Sequence, residues 1–340
     1  MKNIGLALMI GLLALPAAAR ETIAGVPMDA NFKAAERQAT MLNIADAGKP
    51  ALAGIQRAAI SSFQVQFVTK GAAGASSYEI GRTGRAGTNV VVTLVGVGAP
   101  DFQLLTDKLY DDFITDLTAM GIDVVPTEKV LAAPAYKKMA ASGSQSPADT
   151  RTKDSWSTVY APAGLGVYGI GSHSTAVAMF AGFSAASAMF GTIMGNIDLQ
   201  KELDASLINV RMVVNFVDMK SSDSSWFGRS SGTATVGLQY GPSIAPADSF
   251  MTVHKPTASG TLALHAPLLI DGSAFKEVKD TSSIAANIGL AVLSLAIGGG
   301  GSQTAIEKEV VAEPEPYRAA VGAGLGAVRE MFMARLRAAR

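Results

Sequence analysis

Apolar residues recur at intervals of two from Ala59 to Thr69, where Phe63, Val65 and Phe67 are separated by Gln64 and Gln66. Such alternation predicts a half-buried strand. A second strand is predicted at Asn89–Val97, rich in β-branched residues. The spacing then changes to that of a helix: Phe102, Leu105, Leu109, Phe113 and Leu117 fall on one face, Asp101 stands at its start as a cap, and Gly121 stops it. A short strand at Ile122–Pro126 and a helix from Glu128 to Met139, interrupted around Pro134, follow. Ile208–Met219 has the strongest strand pattern of the chain, with Val210, Met212 and Val214 pointing one way. Further strands are predicted at Thr233–Tyr240 and Gly260–Leu269. Helical spacing marks Phe32, Ala35, Ala39 and Leu42 (ended by Gly48-Lys49-Pro50), Asp198–Leu207, Ser283–Ile297 and the amphipathic Tyr317–Arg340. Gly71–Gly87 is expected as a small-residue loop, Ser142–Asp154 as a polar linker and Ser221–Gly232 as a turn. Together these predict an α/β (α+β) fold: a three-layer-like mixed sheet flanked by helices, with an apolar hairpin or helical insertion and a C-terminal amphipathic helix. The expected division is residues 20–58 as an N-terminal helical segment, 59–280 as the α/β domain and 281–340 as a C-terminal helical region.

The insertion is the anomaly of the pattern. Residues 155–197 contain no Asp, Glu, Lys or Arg, and His173 is their one ionisable imidazole. So long an uncharged segment is expected to leave water, into a core, a protomer interface or a bilayer. Its first arm offers Val159, Tyr160, Leu165, Val167, Tyr168 and Ile170, an aromatic-flanked strand pattern. Its second offers Met179, Phe180, Phe183, Met189 and Phe190, nearer to helical spacing. These eleven residues are the expected interface or membrane contacts. One hairpin cannot close a barrel, so a spanning reading demands a ring of protomers.

Composition narrows the partners. Lys and Arg number 28, as do Asp and Glu, so no basic excess points to nucleic acid. With no cysteine, disulfides, thiolate metal sites and a thiol nucleophile are excluded. Lys2, the apolar run Ile4–Leu15, Pro16 and Ala17-Ala18-Ala19 make an export signal, with cleavage expected after Ala19. The apolar run is too short to span a bilayer. The expected address is the periplasm or the outer membrane.

Motifs with chemical meaning lack their required setting. Gly164-x-Gly166-x-x-Gly169 has the spacing of a pyrophosphate loop, but Pro162 precedes it and no acidic residue follows at the ribose-binding distance. Gly182-Phe183-Ser184-Ala185-Ala186 approaches a hydrolase elbow, yet Asp271 follows both His254 and His265, the wrong order for that fold. His173, His254 and His265 are too scattered for a metal site. Asp107 and Asp111 share a helix face but read as a solvated, dipole-favoured turn. The arginines Arg318, Arg329, Arg335, Arg337 and Arg340 read as an exposed face, with anionic lipid as the alternative. No cofactor, metal ligand set or catalytic group is therefore expected.

The order of these elements, strand 59–69, strand 89–97, the Leu105-Leu109-Phe113-Leu117 helix, Gly121-Ile122-Asp123-Val124-Val125-Pro126, and the later long strand 208–218, resembles the periplasmic α/β domain of the curli secretion channel family and its relatives, the flagellar T-ring and TolB N-terminal domains. The resemblance spans residues 59–220. It implies a non-enzymatic, ring-forming envelope protein, some members of which carry hairpins inserted before the later strand, where the uncharged tract falls. Two departures are the missing lipidation cysteine and one insertion instead of two. The expected function is an exported envelope scaffold or accessory component of a secretion structure, acting through self-association or other envelope proteins, with membrane contact as a further possibility. The alternatives are a periplasmic binding module for an apolar ligand and, behind it, a secreted hydrolase using Ser184.

Overall fold

The computed structural model describes residues 24–78, 85–152, 154–168, 195–221, 236–246, 248–282 and 303–340. Along the chain its elements are α1 (Ala34–Met41), α2 (Lys49–Leu52), β1 (Arg57–Tyr78), β2 (Arg85–Val95), α3 (Ala99–Ala119), α4 (Thr127–Ala132) and α5 (Pro134–Ala140). There follow β3 (Ala148–Arg151), β4 (Ser155–Tyr160), α6 (195–203), β5 (Ser206–Ser221), β6 (Val236–Ile244), β7 (Phe250–Lys255), β8 (Ala258–Leu264), β9 (Phe275–Asp280), β10 (Gln303–Ala312) and α7 (Pro314–Ala339). Four two-residue strands complete one mixed sheet of fourteen strands. The α/β class with a C-terminal helix stands as the pattern predicts.

The first half of β1 organises the core. Phe63, Val65 and Phe67 are wholly buried on the face covered by α3. Phe63 meets Tyr110 and Phe113 edge-on, at 5.2 and 5.6 Å between ring centroids. Phe67 stacks on Phe102 at 4.4 Å, and Phe102 in turn meets Tyr160 and Tyr317. Offset and edge-on aromatic contacts of this kind add to simple burial. Parallel pairing with β5 places Phe63 beside Val210 and Phe67 beside Val214, so the two strands with the clearest alternation lie side by side.

α3 and α7 run parallel. Asp101 pairs with Arg318 at 2.5 Å, while Asp112 and Asp116 pair with Arg329 at 2.6 and 3.0 Å. The C-terminal arginines thus fasten helix to helix; Arg340 reaches the Met120 carbonyl and Arg335 reaches Gln38. Burial alone would raise the Asp112 carboxyl, but hydrogen bonds from Lys108 and Arg329 outweigh it and hold the group below its ordinary value. Asp101 lies inside the first turn of α3, where its carboxylate accepts the Gly98 N–H at 3.1 Å.

Several expectations change. Most of the Gly71–Gly87 stretch is strand and not loop: β1 continues to Tyr78 and β2 begins at Arg85, with 79–84 outside the described residues. Gly, Ala and Ser conceal the strand because they carry no apolar alternation, and the ladder to Val90–Thr93 holds them extended. The Ser142–Asp154 linker contains β3, which pairs with β4. The strands β7, β9 and β10 have no counterpart in the pattern. β10 also makes the 281–340 region more than helical, since it lies parallel to β2 inside the same sheet. Ser221–Gly232 and Ser283–Ile297 fall, apart from Ser221, outside the described residues.

Candidate assembly surface

Topology brings the ends of three strand pairs to one end of the sheet. β1 and β2 are antiparallel, with Tyr78 facing Arg85. β5 runs parallel to β1 and turns back as β6, with Ser221 facing Val236. β10 is parallel to β2, Gln303 beside Gly87, and antiparallel to β9. The strand ends Tyr78 and Arg85, Ser221 and Val236, and Asp280 and Gln303 therefore lie toward a common rim.

The outer halves of these pairs reverse the polarity of the inner halves. In the inner half the face away from α3 is polar and buried. Arg211 donates to Gln66 at 2.5 Å, Gln66 donates to Ser157 at 2.6 Å, Gln64 donates to Ser62 and to the Tyr168 carbonyl, and Ser61 donates to Asn209. Burial lowers the Arg211 pKa and the charge of Asp248 partly restores it. Farther out, Gly71 faces Val92 and Ala73 faces Val90, with Ile306 next to Val90. Val90 and Val92 are buried. The β5–β6 hairpin, with Val217 opposite Tyr240 and Met219 opposite Leu238, curls over this surface, and β6 comes close to β1 and β2. Met219 occupies the space that a Cβ on Gly71 would need. The residues turned the other way are Lys70, Asn89, Thr93, Glu307 and Glu309 on one hairpin system, and Asp218 and Gln239 on the other. The edge strand β9 is nearly all exposed, and its Val278 is 40% exposed.

Of the eleven contact residues expected from the uncharged tract, Val159, Tyr160, Leu165, Val167 and Tyr168 lie in the chain's own core. β4 pairs with β1, placing Tyr160 against Phe67, and Val167 bridges to Ser144. Their shelter is intramolecular. Ile170, Met179, Phe180, Phe183, Met189 and Phe190 lie outside the described residues, as do Ser184 and His173. Gly164 adopts φ +89°, and the Gly166 N–H donates to the Tyr136 hydroxyl at 2.8 Å, so that amide of the glycine loop is already engaged. His254 and His265 bond to Ser259 and Asn43 respectively. The Asp107 carboxylate accepts from Gln103 at 2.8 Å. Among the described residues no group of three or more His, Cys, Asp or Glu is placed to hold a metal, and no helix is long and apolar enough to cross a membrane. The strand ends of the rim escape sequence reasoning, because Gly71–Ser77 holds only Gly, Ala and Ser, and Glu307, Lys308 and Glu309 interrupt β10.

The buried tyrosines give a pH test. Burial pushes the Tyr168 phenol far above its ordinary value; Tyr136 adds to this, and the bond to the Ser61 carbonyl only partly offsets it. Burial also raises Tyr317, followed by the charge of Asp101, and burial raises Tyr110 and Tyr136. A raised phenol pKa contributes stability that is complete below the unfolded value of about 10 and is lost as pH rises above it. Tyrosinate absorbance is expected to rise mainly above the ordinary phenol value and together with loss of circular dichroism. Smooth titration of all seven tyrosines in a folded chain would contradict this.

The described chain is a mixed α/β protein with a helix-covered core and a projecting system of strand pairs. Comparison with protein-family models, with curated proteins and with solved structures found no match.

Proposed function

We propose that this chain is an exported component of the cell envelope that works by assembly, as a scaffold or accessory part of an envelope or secretion structure. One observation carries the reading: the outer halves of β1–β2, β5–β6 and β9–β10 reverse the polarity of the sheet and bring the ends of three strand pairs to one rim. A chain whose only task was to fold around α3 and α7 would not require strands that long. A surface of extended strands with unpaired edge groups is suited to joining neighbouring protomers, because backbone donors and acceptors there still seek partners. The export signal at Lys2–Ala19 and the envelope address fit this use.

The absence of native cysteine gives a clean test. Gln239 and Thr304 are exposed near the rim on β6 and β10. The mature chain carrying Gln239→Cys or Thr304→Cys is expected to form covalent inter-chain products under mild oxidation in detergent or with anionic vesicles, with particles larger than a dimer by light scattering. Particles no larger than a dimer in every medium, with no cross-linked product at either position, would overturn the reading.

A further inference from the structure

The parallel helices α3 and α7 leave an apolar slot of about 450 Å³ between them, away from the rim. Its walls are Leu104, Leu105 and Leu109 on α3, and Ala319, Gly322 and Ala323 on α7. Leu104 stands at its lip, 56% exposed, a larger exposure than that of either other exposed large hydrophobic side chain among the described residues. We propose that this slot is the contact face of a two-fold dimer of the chain, in which Leu104 of each copy enters the slot of the other.

The register of the two helices decides the occupant. Asp101 lies level with Arg318 and Asp112 with Arg329, while Leu105 lies against Gly322. That common offset sets Leu104 level with Val321 and Lys108 level with Leu325. Lys108 is 72% exposed, and its pair with Asp112 at 3.2 Å is a surface pair of little strength. Glu315, one turn before Ala319 on the slot side of α7, is exposed and has no ion-pair partner among the described residues. With the two-fold axis set across the helices, the helices of the two copies run antiparallel, and every pairing occurs twice. Setting Lys108 opposite the partner's Glu315 brings Leu104 opposite the partner's Ala319, the small-residue wall where a leucine has room. The same two-fold operation therefore satisfies the charges and the apolar knob at once. Glu330, farther along α7, is carried beyond the end of this contact.

The dimer uses a different face from the rim and does not rest on the proposed envelope role. It is tested by sedimentation equilibrium of the mature chain in plain buffer without detergent. The unmodified chain is expected to dimerise. Lys108→Glu and Glu315→Lys are each expected to weaken the dimer about tenfold or more, by turning two attractions into two repulsions. The double variant K108E/E315K is expected to recover most of the loss, since it restores both pairs with the signs exchanged. Leu104→Glu is expected to give a monomer of unchanged circular dichroism. A chain that is monomeric at all concentrations, a dimer indifferent to Leu104→Glu, or a double variant no tighter than its parents would overturn the proposal. Cross-linking at Gln239 and Thr304 in detergent is expected to persist in Leu104→Glu, so the two contacts fail separately.

Discussion

Replacing Phe67 by Ala is expected to lower the unfolding free energy by about 3–5 kcal/mol, the range for truncating a buried aromatic residue. Phe67 is wholly buried and touches two other rings, stacking on Phe102 and meeting Tyr160 edge-on at 5.8 Å. Through Phe102 the cluster reaches Tyr317, so one side chain joins β1, β4, α3 and α7. Its removal leaves a void that four elements must collapse into, and elements already fixed by strand ladders and by the Arg318 and Arg329 pairs have little freedom to do so. Urea unfolding followed by circular dichroism measures the loss. Phe67→Leu is expected to cost well under half as much, because most of the volume remains. Val278→Ala, on the exposed edge strand, is expected to change stability by no more than about 0.5 kcal/mol. A Phe67→Ala variant as stable as the parent would show that the ring cluster does not organise the core.

Gly96→Val is the second large effect, expected to cost about 3 kcal/mol or more and to detach the end of β10. Gly96 adopts φ +88°, a conformation that a β-branched residue tolerates poorly. A Cβ there would also collide with the carbonyl oxygen of Ala312, a buried residue at the end of β10, two residues before α7 begins. Backbone strain and a clash with backbone act together, and neither is relieved by rotating a side chain. Gly98→Ala two residues on is a matched control: nothing lies near its Cβ position, and as the N-cap of α3 it is expected to lose no more than about 1 kcal/mol. Thermal unfolding of both variants, with hydrogen exchange on β10, separates the local from the global cost. Equal melting temperatures for the two would contradict the account.

The helix-covered core is legible in the amino-acid pattern. Phe63, Val65, Phe67, the Phe102–Leu117 face and Val210–Val214 announce themselves by period, since each element must hide one stripe, and the fold packs them against one another. The breaks at Gly121 and Pro134 are equally readable, because a left-handed φ at Gly121 and a missing N–H at Pro134 are local matters. The rim is not legible. Gly71–Tyr78 has the composition of a loop and becomes strand only because β2 pairs with it residue by residue. β9 and β10 carry charges that local reasoning assigns to solvent, and only the neighbouring ladder makes them sheet.

The uncharged tract shows the same division from the other side. Its lack of ions predicts departure from water, and five of its eleven marked residues lie buried in the core. Their partners, among them Phe67, Ser61, Gln64 and Ser144, are remote in the chain, and no local pattern names them. The arginines of α7 likewise read as a free charged face until α3 supplies Asp101, Asp112 and Asp116. By itself, then, the sequence determined the class of fold, the core stripes and the helix ends, because these depend on periodicity and on the conformational limits of single residues. Only the tertiary structure decided which buried stripe meets which, how far the strands extend and where Leu104 is left exposed, because pairing across long stretches of chain is set by the summed fit of distant surfaces and not by any residue's own preference.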